Sequence, residues 1–219
     1  MMDDILLESL PLPLRLALSY APRDARRETL VLLALDTRLA AIVRGDGEAI
    51  IAQLKLAWWR DRLAENPENW PAGEPLLSAL SDWRGNLEAL GELVDGWEGL
   101  LVESLGQAQV RAFAAARGTS WQTLADGLGG KGDPETVAQA GQRFALADLA
   151  LHLGDPAERD VALHQLAQLQ AGRVKLNRQM RPLAVLNALT QRALKQGSGE
   201  LLDGPAAMAL AMRVGITGR

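Results

Sequence analysis

Strand-forming side chains are nearly missing from this chain. Its 219 residues hold two Phe and one Tyr, and β-branched residues are few. Little is left from which to build the half-buried, pleated surface of a sheet. Ala and Leu dominate, interleaved with Arg, Glu and Gln, all good helix formers. Gly and Pro cut the chain into helix-length pieces. The expectation is an all-α fold, a single-domain helical bundle.

Hydrophobic residues make up 48% of the chain, enough for one sizeable core. Lys and Arg number 23 against 27 Asp and Glu, a net charge of −4. A nucleic-acid binder needs an excess of cations facing phosphates, so that class is set aside. With no cysteine, disulfides, thiolate catalysis and cysteine zinc sites are excluded. His152 and His164 are the only imidazoles. The opening Met1-Met2-Asp3-Asp4 is acidic where a secretory leader is basic. The apolar run from Leu30 to Leu35 falls far short of a bilayer span. These features point to the cytoplasm.

Residues 24–43 form the first expected long helix, after Pro22. From Leu30 it is apolar on every face except at Asp36, Thr37 and Arg38, the pattern of a helix in the middle of a bundle. Gly45-Asp46-Gly47 separates it from a second helix over 48–65, which carries Ile50, Ile51, Leu54, Trp58 and Arg62 on one broad stripe. Further helices are expected over 76–83, 87–105 and 107–128. Asp133-Pro134 and Asp155-Pro156 each start another, an N-cap acceptor followed by a first-turn proline. Pro182 opens a last substantial helix to about Lys195, and the Gly-rich end reads as a frayed tail. The expected division is an N-terminal segment 1–13, a helical domain 14–196 and a tail 197–219.

Several motifs carry chemistry. Residues 127–132 spell GxGxxG, but a dinucleotide site needs a strand ahead of the first glycine; here a helix precedes it, so a helix terminator is expected. No GxSxG elbow occurs, and neither histidine has a serine partner. Asp148, His152 and Asp155 fall at i, i+4 and i+7, a spacing that places two carboxylates and an imidazole on one face for a divalent ion. Against this, Gly154 breaks the helix and Asp155 doubles as the next N-cap. Arg173, Lys175, Arg178 and Arg181 form a basic segment suited to a diphosphate, an anionic lipid head or an acidic partner. A solvated helix face is the commoner outcome of such a run. Arg23, Arg26 and Arg27 stand at a helix start, where the macrodipole disfavours cations, and so point to an acidic neighbour, either within the fold or on a partner. Trp83, Trp97 and Trp121 are assigned to the core, whereas Trp58-Trp59 must put one indole on each side of its helix.

Taken in order, these segments resemble the squalene/phytoene synthase family, all-helical head-to-head prenyl synthases. Leu32 to Ala40 resembles the helix of that family's first aspartate motif, and Leu54 to Leu63, with Trp58-Trp59-Arg60, its Trp-Arg helix. Leu93-Val94-Asp95-Gly96-Trp97-Glu98 is similar to an Ile-Asp-Gly-x-Glu helix, and Gly118-Thr119 to an Ala-Gly-Thr segment. Gly141 to Asp155 resembles the helix of the second aspartate motif, and Arg181-Pro182-Leu183 an Arg-Pro-Leu near the end. The likeness covers most of residues 14–195 and implies the isoprenoid (terpenoid) synthase fold.

The family's enzymes use two aspartate motifs on facing helices to hold Mg²⁺, which grips the substrate diphosphates. By the resemblance, the first motif's aspartates fall on Ala40 and Arg44, and the second motif's Asn-x-x-Arg-Asp on Asp148, Leu151 and His152. Arg44 puts a cation where the metal should sit. The pattern resembles the branch that includes a mitochondrial complex I assembly factor, which keeps the fold and loses the aspartates. It implies a non-catalytic protein without a cofactor, binding a protein partner or a prenyl or lipid-like ligand, in the setting of respiratory complex assembly. Trp58, Trp59, Arg173, Arg178 and Arg181 are the contact residues on this reading. The enzymatic alternative is a divergent Mg²⁺-dependent prenyltransferase using Asp36, Asp148 and Asp155 with the basic segment. A third expectation is peripheral contact with the inner face of a membrane through Arg178 and Arg181.

Overall fold

The structure, a computed structural model, describes residues 2–45, 47–130, 133–169 and 175–218. Among these it is all-helical, without a strand, and its helices share one hydrophobic core. The chain opens with α1 (Met2–Ser9), α2 (Leu12–Ser19), α3 (Arg23–Val43) and α4 (Ala49–Ala64). The short α5 (Pro75–Leu80) leads to α6 (Leu87–Glu98), α7 (Gln107–Gly127) and α8 (Pro134–His152). α9 (Pro156–Gln168), α10 (Arg181–Gln196) and α11 (Gly204–Thr217) complete it.

Packing runs as a series in which α4 lies on α6, α6 on α7, α7 on α8, α8 on α10 and α10 on α11. α3 passes through the middle, against α1, α5, α6 and α7. Every residue from Glu28 to Asp36 is buried, as expected for a helix whose apolar residues cover all its faces. The crossing of α7 and α8 is made close by two glycines. A Cβ on Gly118 would stand 2.7 Å from the Ala138 carbonyl oxygen, and one on Gly141 would stand 2.9 Å from Gly118 Cα. Bare backbone at both positions lets α7 approach α8 and brings the neighbouring side chains of the two helices together.

Local signals place several elements as expected. Asp133 Oδ2 accepts from Thr136 N at 3.1 Å, and Asp155 Oδ1 from Ala157 N and Glu158 N at 2.8 and 3.0 Å. α7 runs directly into Gly127, and Gly129 takes a left-handed φ of 65°, so the GxGxxG stretch follows a helix; its Lys131 and Gly132 lie outside the described residues. Trp83, Trp97 and Trp121 are buried. Of the arginines at the start of α3, Arg27 meets an acidic neighbour, Asp82, 2.9 Å from its Nη2, whereas Arg26 Nη1 donates to the Leu18 carbonyl oxygen at 3.1 Å.

Other expectations need correction. The helix expected over 87–105 stops at Glu98, because the following residues leave it to reach α9, where Leu105 N donates to Glu158 Oε1 at 2.8 Å. No element is expected ahead of residue 24; α1 and α2 form there, and bury Leu6, Leu10, Ala17 and Leu18. The frayed tail is instead α11, with Ala207, Ala211, Val214 and Gly215 turned inward against α10 and α2. The Tyr20 ring leaves no room for a side chain at Gly215. Glycine here serves as a contact surface, while Gly197, at φ 63°, caps α10.

Candidate functional site

Two places collect the residues of interest, on different faces of α3. The first is a buried charge network. Asp36 comes from α3, Asp148 from α8, and between them lies Arg117 of α7. Arg117 Nη2 donates to Asp36 Oδ2 at 2.5 Å and Nη1 to Asp148 Oδ2 at 2.9 Å. The Arg117 side chain is 4% exposed. Its guanidinium carbon stands 4.5 Å from the ring centre of Phe144, 5.4 Å from that of Phe113 and 5.6 Å from that of Trp97. Trp97 Nε1 also donates to Asp36 Oδ1 at 2.8 Å. Arg44, the residue closing α3, adds a second guanidinium 3.4 Å from Asp148 Oδ2. Two carboxylates thus meet two guanidinium groups inside a partly aromatic wall.

The electrostatics follow from that inventory. Burial works against the charge on Arg117, but the nearby Asp36 and Asp148 outweigh it and hold its pKa above the ordinary arginine value. Burial likewise pushes Asp148 up, while Arg117, Arg44 and His152 pull it down by more; the carboxyl sits below the usual aspartate range. His152 Nδ1 lies 3.4 Å from Asp148 Oδ1 and 2.7 Å from the Asp148 backbone oxygen. Asp155, the third member of the predicted face, turns to cap α9 instead.

These residues do not fit Mg²⁺. A hard cation takes about six oxygen ligands, whereas Asp36 and Asp148 are each tied to a guanidinium lying between them. Among the described residues, no three His, Cys, Asp or Glu side chains form a group able to hold a metal ion. Arginine remains protonated at any working pH and offers only fixed donors.

The second place is an open groove of about 690 Å³ on the outer side of α3 and α4. Arg38, Ala41 and Ile42 line it from α3; Ile51, Leu54 and Trp58 line it from α4. The broad stripe predicted on α4 exists, but the core takes a different face of that helix: Ala52, Leu56, Trp59 and Leu63 are buried. Ile50, Ile51, Leu54 and Trp58 are left exposed. Trp59 supports Trp58 edge-on, with ring centres 5.1 Å apart. Lys55, Arg38 and Glu74 add polar groups to the lining, with Arg38 Nη2 3.7 Å from Glu74 Oε1.

The residues assigned to one ligand site therefore separate. Trp58 and Trp59 belong to the groove. Arg181 Nη1 instead donates to the Val214 carbonyl oxygen at the end of α11, at 3.4 Å, and Arg178 is exposed just ahead of it. Arg173 lies outside the described residues. Sequence reasoning passed over Arg117 altogether, although its place in Ala114-Ala115-Ala116-Arg117-Gly118 is a signal: a lone cation among the small residues of a close helix crossing. No model of a known protein family matches the chain, and neither does any curated protein or solved structure.

Proposed function

We propose that this chain is a non-catalytic helical binding protein of the squalene/phytoene synthase type. On this reading its ligand is a prenyl or lipid-like chain, or an apolar segment of a protein partner, taken up in the groove beside α4. The observation that carries the proposal is Arg117. A guanidinium stands between Asp36 and Asp148, the two carboxylates that the enzymatic alternative would give to metal, and a fixed organic cation cannot depart with pyrophosphate as a metal ion does. The groove supplies the binding half of the argument, since a concave apolar surface with a few polar groups in its lining suits an apolar ligand. Assistance in assembling a respiratory complex is the setting that the family resemblance suggests.

One observation favours the enzymatic alternative: Asp36 and Asp148 do converge, from α3 and α8. The two readings part in one experiment. Incubated with farnesyl or geranylgeranyl diphosphate and Mg²⁺, the protein should release no pyrophosphate and form no prenyl product. Measurable product, lost in Asp148→Asn, would replace this proposal with a divergent prenyltransferase. For the binding half, farnesol should raise the unfolding temperature of the wild-type protein and have no such effect on Leu54→Glu; an equal rise in both argues against the groove.

A further inference from the structure

α11 turns an apolar face to the outside. Met208, Met212 and Ile216, at i, i+4 and i+8, are 42%, 52% and 68% exposed, and Pro205 and Ala209 are exposed on the same side. The helix already meets α10 and α2 through Ala207, Ala211, Val214 and Gly215, so this stripe is additional to the packing face. A solvent-facing helix surface ordinarily carries polar residues of mixed charge. Here Gly204 to Thr217 contains no Asp or Glu, and its single charged residue is the exposed Arg213. Arg181 adds a second guanidinium at the C-terminal end of the helix, and exposed Arg178 a third cation three residues before it.

We propose that this face of α11 seats the protein on the surface of an anionic phospholipid bilayer. Charge chooses the occupant first, because the C-terminal end of the helix gathers Arg213, Arg181 and Arg178 beside the apolar stripe, while the exposed acidic Glu200 and Asp203 lie at its opposite end; cations beside apolar side chains are what anionic headgroups and the acyl boundary match. Size speaks against a second copy. A helix of 14 residues is about 21 Å long and about 10 Å across, which presents on the order of 200 Å². A stable protein interface takes about 800 Å² per partner. Among the described residues, no helix is long and apolar enough to cross a membrane, so the contact is peripheral. α11 lies along the bilayer plane, with its unbranched methionines reaching between headgroups. The proposal stands apart from the groove, since α4 and α11 occupy opposite ends of the packing series.

The test is flotation of the full chain with vesicles of phosphatidylcholine alone or with phosphatidylglycerol added. The protein should rise with the anionic vesicles and stay behind with the neutral ones. Met212→Glu changes an outward side chain, and should cut the bound fraction about tenfold or more with unchanged helical circular dichroism. Arg213→Glu should weaken flotation on anionic vesicles. Val102→Glu, an equally exposed apolar position between α6 and α7, should float as the wild type does. The proposal is overturned if flotation is absent, equal on neutral vesicles, or indifferent to Met212→Glu. A dimer in solution that Met212→Glu abolishes overturns it as well, by showing another copy to be the occupant.

Discussion

Among single side chains, the chemistry concentrates on Arg117. Removing one partner from a buried charge network leaves the others uncompensated, at a cost of about 3–5 kcal/mol. Arg117→Met should destabilise the protein by about that much in urea unfolding. Adding Asp36→Asn and Asp148→Asn to it should recover most of the loss, because the one charge left, on Arg44, is partly exposed and keeps its water. The pH dependence has a definite sign. Asp148 is held below its ordinary value, so the folded chain binds that proton less readily than the unfolded chain. Its stabilisation is complete above the unfolded value of about 3.9 and is lost as pH falls through the lower folded one. The stability gap between wild type and Asp148→Asn should therefore narrow as pH drops below about 4. Asp36 and Asp148 were legible in the sequence because each interrupts an apolar helix. Arg117 was not, since its partners lie 81 and 31 positions away in the chain.

Elements were legible where their signals are local. Asp133 and Asp155 each bond to backbone within three residues, so the starts of α8 and α9 can be read without knowing the fold. Faces are another matter. α4 carries two apolar stripes, and nothing local to the helix says which one α6 and α3 will cover. Helix crossings have the same character. Gly118→Ala would normally favour a helix by up to about 1 kcal/mol. Here the new methyl meets the Ala138 carbonyl oxygen, which is backbone and cannot swing aside. The sign should reverse to a loss of about 1–3 kcal/mol, measured as a Tm lower by about 2–4 °C for each kcal/mol.

Across the whole molecule, the first and last helices prove to be part of the core. α1 packs on α3 and α5, and α11 closes over α10 and α2. Deleting residues 198–219 removes the buried Ala207, Ala211 and Val214 and uncovers Tyr20. That is roughly 3 kcal/mol of burial, and the Tm should fall by about 6–12 °C in a thermal melt. An unchanged Tm would mean that the end contributes nothing to the fold. The same arrangement separates the outward apolar groove from the inward charge network by the thickness of α3, with Arg38, Ala41 and Ile42 on one face and Asp36 and Arg44 on another.

The all-helical class, the caps and the central position of α3 are determined by the sequence alone, because they depend on propensity, on side chains bonding to nearby backbone and on hydrophobic periodicity, all of which act over a few residues. Only the tertiary structure decided that a guanidinium would sit between Asp36 and Asp148, that α4 would present its richer stripe to the outside, and that a glycine-rich end would form a packed helix. Each of those outcomes depends on which surfaces meet across tens of residues of chain, where competing apolar faces are chosen by shape and by the close approach that bare glycine backbone permits.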